Sequence, residues 1–96
     1  MKKIIKERGH GKTTELIKIS AQTGDYVICR DHREANRIQN VAHKMKLNIP
    51  LPITYGEFMS KSYHAKGISG FLIDNIEKFC QSLTIVPINA ITLNSD

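Results

Sequence analysis

RGHGKTTELI, residues Arg8 to Ile17, sets two glycines, a lysine and two threonines at the head of an expected helix, directly behind the run Met1 to Ile5. A turn that only joins a strand to a helix needs at most one glycine, to reach a positive φ, and gains nothing from a lysine beside it. The composition suits a turn that wraps around something negatively charged. A helix N-terminus carries backbone N–H groups without intrahelical partners and a partial positive charge, and glycine lets those groups turn inward with no Cβ in the way. In such a cradle Lys12 reaches terminal phosphates as a point charge, and the Thr13 hydroxyl completes the shell of a magnesium ion.

The flanking sequence supplies the strand and the helix that this reading needs. Lys3 to Lys6 reads as a short strand, and Lys12 to Ala21 as a helix with Leu16, Ile17 and Ala21 on one side, broken by the Thr23–Gly24–Asp25 turn. Tyr26 to Cys29 has the β-branched and aromatic content of a buried strand. Asp31 followed by Glu34 is a capping box in its aspartate form; it opens a helix to about Lys46 with Ala35, Ile38, Val41, Ala42 and Met45 at helical spacing. Pro50 and Pro52 then exclude helix, so a short extended piece ends near Thr54, which with Glu57 caps one helical turn. The segment from Ser60 to Gly70 is a polar, glycine-bearing loop. Phe71 to Asp74 reads as a third buried strand, Asn75 to Leu83 as a short helix, and Ala90 to Leu93 as a last strand.

Strand and helix alternate throughout. The pattern predicts an α/β fold of three layers, α/β/α, with a mostly parallel sheet of about five strands joined by right-handed crossovers. The 96 residues form a single domain over 1–96. Hydrophobic residues at 41% and charged residues at 24% are ordinary globular values and exclude a disordered chain. Cys29 and Cys80 stand far apart in apolar neighbourhoods, which favours buried thiols in a reducing compartment over a disulfide framework. The chain lacks an apolar stretch near the roughly 20 residues of a membrane span and a signal-peptide core, so a cytoplasmic location is expected. His10, His32, His43 and His64 share no metal-ligand spacing with the cysteines, which argues against zinc.

KERGHGKT, Lys6 to Thr13, resembles the Walker A motif of P-loop NTPases, G-x-x-x-x-G-K-[ST], with Lys6 in place of the first glycine. The RGxGKT core is similar to the arginine-bearing version of helicase-like and terminase-like members. The resemblance implies that Arg8, Gly9, His10, Gly11, Lys12, Thr13 and Thr14 hold the phosphates of ATP or another nucleoside triphosphate. It also implies a carboxylate at the end of a second parallel strand, close to the metal. GFLIDNIE, Gly70 to Glu77, supplies one in Asp74 and resembles the Walker B strand, whose aspartate holds magnesium through water. A simpler reading has Asp74 cap the helix that begins at Asn75, and the two roles are compatible.

In the helicase-like branch a glutamate follows that aspartate and deprotonates the attacking water. Asn75 stands there in this chain. An amide positions water but accepts no proton, which argues against efficient hydrolysis, and Glu77 is the nearest substitute. ITYGEF, Ile53 to Phe58, resembles the segment that superfamily 1 helicases place between the two motifs, near single-stranded nucleic acid. AITLNSD, Ala90 to Asp96, puts Asn94 or Thr92 at the γ-phosphate-sensing position of that fold. As a single reduced domain the chain resembles the small P-loop proteins of phages and mobile elements, and a partner is implied to supply the missing catalytic groups.

The net charge of +5 makes contact with nucleic acid or another polyanion plausible. Arg33, Arg37 and Lys44 fall on one side of the long helix, with Arg30 just before it. They read as a stripe for a phosphate backbone or, more economically, as a solvated face. Three functions follow. The first is an ATP- and magnesium-binding domain of helicase-like ancestry with weak or partner-dependent hydrolysis. The second is a non-catalytic interaction protein on the same scaffold, with a protein or nucleic-acid partner. The third, ranked last, is a small-molecule kinase, which needs a closing lid that only the loop from Ser60 to Gly70 offers.

Overall fold

β1 (Tyr26–Cys29) sends alternate side chains into two apolar cores, and the other elements are arranged around that alternation. The computed structural model describes residues 2–5, 11–63 and 67–93. Among these, the elements in chain order are α1 (Lys12–Thr23), β1, α2 (His32–Lys44), β2 (Ile53–Thr54), α3 (Tyr55–Met59), β3 (Phe71–Ile73) and α4 (Ile76–Gln81). The strands form one sheet in the order β2-β1-β3, and both pairings are parallel, with Ile28 in register with Ile53 on one side and Ile73 on the other.

Val27 and Cys29 face the side on which Ile17 of α1 and Ala35, Ile38 and Ala42 of α2 close one buried cluster. Ile28 faces the opposite side, where Ile53 and Tyr55 form a second cluster with Phe58, Phe71, Ile73 and Phe79 packed against it. Helices therefore cover both faces of a small parallel sheet, as the alternation in the sequence predicts. Ile17, Ile28 and Ile38 are fully buried, and each contributes about 1.5–3 kcal/mol by leaving water.

The sheet is narrower than predicted. Residues 3–5 and 90–93, expected as strands, carry no ladder among the described residues, and Lys6 lies outside them. The described sheet has three strands rather than about five. Apolar and β-branched composition gives a segment strand propensity, but a strand persists only where a neighbour satisfies its N–H and C=O groups. Neither segment forms a ladder with the described strands, and Ile5 and Leu93 stay 78% and 54% exposed.

Local hydrogen bonds set the helix ends. Asp31 caps α2 by accepting from the Glu34 N–H at 2.8 Å. α2 stops at Lys44, short of the expected Lys46, because Lys46 turns to φ 58°. The Lys46 N–H then reaches His43 O at 3.0 Å and the Leu47 N–H reaches Ala42 O at 2.9 Å, which satisfies the last carbonyls and folds Leu47 onto the first core. Thr54 and Glu57 form the predicted capping box of α3, with the Glu57 N–H on Thr54 Oγ1 at 3.1 Å and the Thr54 N–H on Glu57 Oε1 at 3.0 Å.

Candidate functional site

Parallel strands place their C-terminal ends on one edge of the sheet, where ligands of open α/β folds bind. Here that edge carries Arg30 after β1, Tyr55 after β2 and Asp74 after β3. The Asp74 N–H bonds to Ile28 O at 2.9 Å, which continues the β1–β3 ladder by one residue and fixes the backbone of the carboxylate. The start of α1 meets the same edge. Gly11 is its N-cap at φ 84° and ψ 23°, a left-handed conformation that L side chains rarely adopt, and no side chain caps the helix. Space is not what demands glycine there, since a Cβ on Gly11 meets nothing within 4 Å; the backbone angle is.

Lys12 and Thr13 from α1 line a hollow of about 180 Å³ together with Asp74 and Asn75. Arg30, Glu34, Tyr55 and Lys78 complete its wall. The nearby Lys12 ammonium and Thr13 hydroxyl both favour the charged form of the Asp74 carboxylate. Burial outweighs them and holds the Asp74 carboxyl above its usual range, helped by the neighbouring negative charge of Glu34 and opposed by Arg37. A hollow of this volume falls below the roughly 300 Å³ of a pocket that encloses a whole small molecule. A larger hollow of about 330 Å³, beside Leu51, Pro52 and Tyr63, contains none of the residues expected to hold a nucleotide.

Tyr55 is the keystone of the turn after β3. It is 4% exposed, and its hydroxyl donates to Asp74 O at 2.6 Å and Asn75 O at 3.2 Å. Burial, reinforced by the Asp74 charge, pushes its phenol up to about 12. Asn75 follows at φ 61° and caps α4 by accepting the Lys78 N–H on Oδ1 at 3.1 Å. The cap of α4 is thus Asn75, with the helix starting at Ile76, and Asp74 is not used for capping. The simpler reading of Asp74 as the helix cap is corrected.

Other expected residues distribute differently. Glu77 sits exposed on α4 and does not line the hollow. Thr14 is half-buried in the first turn of α1, while Thr92 is exposed. Arg8, Gly9, His10 and Asn94 lie outside the described residues. Of the basic stripe, Arg33 and Lys44 are exposed, Arg30 pairs with Asp31 at 3.0 Å, and Arg37 is bonded to Glu34.

Glu34, Tyr55 and Lys78 were not expected at the site. Glu34 was read as the return half of a capping box, yet only the Asp31 half forms: the Glu34 carboxylate is held by Arg37, with Nε on Oε1 at 2.8 Å and Nη2 on the same oxygen. An Arg three residues after a Glu on a helix was the available signal. Tyr55 and Lys78 reach the hollow only through sheet order and the turn at Asn75, which leave no mark in local sequence.

A Thr hydroxyl and an Asp carboxylate are oxygen donors suited to a hard cation. Among the described residues no group of three or more His, Cys, Asp or Glu side chains comes together that could hold a metal ion by itself. A magnesium ion held by Thr13 and Asp74 would need its remaining ligands from water or from a bound anion. Among the described residues no helix is long and apolar enough to cross a membrane. Comparison with protein-family models, with curated proteins and with solved structures finds no match for the chain.

Proposed function

We propose that the chain is a reduced P-loop-like domain that binds the polyphosphate of ATP or another nucleoside triphosphate together with magnesium. The observation that carries this reading is the convergence of Lys12 and Thr13, at the start of α1, with Asp74, at the end of β3, on one hollow. The left-handed Gly11 directs the chain into α1, whose first N–H groups have no intrahelical partners and favour an anion. Lys12 adds a point charge for the outer phosphates, while Arg30 and Lys78 add positive potential along the wall. Magnesium held by Thr13 and Asp74 would supply neutralisation of the phosphate charge. The nucleoside extends beyond the hollow over the exposed surface.

Calorimetry and thermal unfolding with ATP and magnesium test this reading. Wild type is expected to be stabilised by about 2.7 kcal/mol at a hundredfold excess over Kd, by RT ln(1 + [L]/Kd), and Lys12→Ala to lose the effect. Absence of heat and of stabilisation in wild type with millimolar adenine and guanine triphosphates refutes it.

A second reading, a non-catalytic interaction protein on the same scaffold, is favoured by the segment after α4. Leu83, Ile85, Val86, Ile88, Ile91 and Leu93 are all exposed there, a concentration of apolar surface that monomers seldom leave open. Nucleotide binding without phosphate release, with or without single-stranded DNA, selects this reading over an ATPase.

A further inference from the structure

Water attack on a phosphoryl group requires an acceptor for the proton of the water, and the two positions expected to provide one do not. Asn75 is an amide and its side-chain oxygen is occupied in capping α4, while Glu77 is exposed and away from the hollow. Among the described residues the carboxylates that line the hollow are Asp74 and Glu34. Asp74 lines the hollow beside Thr13 and is the expected magnesium partner.

We infer that Glu34 is the catalytic carboxylate of this site, the group that accepts the proton of the attacking water when a nucleoside triphosphate is hydrolysed. The inference rests on the polyphosphate reading of the hollow. Glu34 sits in the first turn of α2, just beyond the C-terminal end of the central strand, so a rigid element carries it. Its carboxylate does not close the capping box with Asp31, and the residue lines the hollow. Arg37 orients it, and both arginine bonds fall on Oε1, so Oε2 takes no part in the clamp. The side chain is 20% exposed, shielded from bulk water but in contact with the hollow.

The step balances simply. The water oxygen forms a bond to the γ-phosphorus, the bond from that phosphorus to the β,γ-bridging oxygen breaks, and the electron pair leaves with the nucleoside diphosphate. The water proton passes to a Glu34 oxygen and from there to solvent. General-base assistance of this kind is worth about 10²–10⁴-fold in rate.

The test compares wild type, Glu34→Gln, Glu34→Asp and Lys12→Ala as full chains with ATP and magnesium. Calorimetry gives affinity, single-turnover phosphate release gives the chemical step, and chromatography identifies the nucleotide retained after gel filtration. Gln keeps an oxygen acceptor for Arg37, so Glu34→Gln is expected to fold, to bind ATP within about threefold of wild type, to release phosphate about 10²–10⁴-fold more slowly and to retain ATP rather than ADP. Glu34→Asp is expected to recover part of the rate. Phosphate release by Glu34→Gln at the wild-type rate overturns the inference, as does loss of ATP binding in that variant, or wild type that binds ATP and releases no phosphate. If wild type takes up no nucleotide, the polyphosphate reading itself has failed, a result separate from all of these.

Discussion

At the scale of single residues, side chains matter here for the bonds their ends make. That Lys12, Thr13 and Asp74 line one hollow was legible in the sequence through the resemblance of their two segments to motifs that act together. Tyr55 was not legible, since its value lies in two carbonyl oxygens of the turn after β3, about 20 residues further along the chain. Removing that hydroxyl should be felt without disturbing the aromatic core, where the Tyr55 ring meets Phe79 edge-on at 5.1 Å between centroids. Tyr55→Phe is expected to lose about 1 kcal/mol of stability in urea unfolding, because the Asp74 and Asn75 carbonyls lose a donor. The same variant should bind nucleotide more weakly in calorimetry, since the turn that aims Asp74 is less constrained.

At the scale of elements, two acidic groups at helix starts tie stability to pH. The Glu34 N–H holds the Asp31 carboxyl below its ordinary 3.8, and the Thr54 N–H holds Glu57 below its ordinary 4.5. Both ionise more readily in the folded chain than in the unfolded one, so over this range the folded state binds fewer protons. Their contribution is complete above about pH 5 and declines as pH falls through 4.5 and 3.8 to the lower folded values. Asparagine caps a helix as well as aspartate does. Asp31→Asn should therefore melt close to wild type at pH 7 and show a shallower loss of Tm between pH 5 and 3, whereas Asp31→Ala, which removes the cap, should melt below wild type already at pH 7. The capping signals were readable because a cap and its partner lie three residues apart. The end of α2 was less so, because Lys46 adopts a left-handed angle usual for glycine.

At the scale of the whole molecule, two cores on a narrow sheet carry the fold, and the segment after α4 contributes little apolar burial. Val86 and Ile88 are tied to α4 through their backbones, by the Gln81 side chain at 3.0 and 2.7 Å, while their own side chains remain exposed. The double substitution Ile85→Ser with Val86→Ser is expected to change stability by less than about 0.5 kcal/mol and to raise solubility. Ile38→Ala, which empties a fully buried position between α2 and β1, is expected to cost about 2–5 kcal/mol in the same chemical unfolding assay. Comparable losses from both substitutions would mean that the C-terminal segment is packed in solution.

The sequence by itself determined the order of helices and strands, the caps of α2 and α3 and the alternation of β1 between two cores, because each depends on residues within a turn of helix or two steps of strand. Only the tertiary structure decided that β1 is central in the described sheet, that residues 3–5 and 90–93 form no ladder among the described residues, and that Glu34 rather than Glu77 shares the hollow with Asp74. Those outcomes depend on which backbones pair and in what register, and on the left-handed turn at Asn75 that redirects α4. Pairing joins residues far apart along the chain, so local composition supplies the propensity for a strand or a carboxylate site while the neighbour across the sheet decides whether it forms.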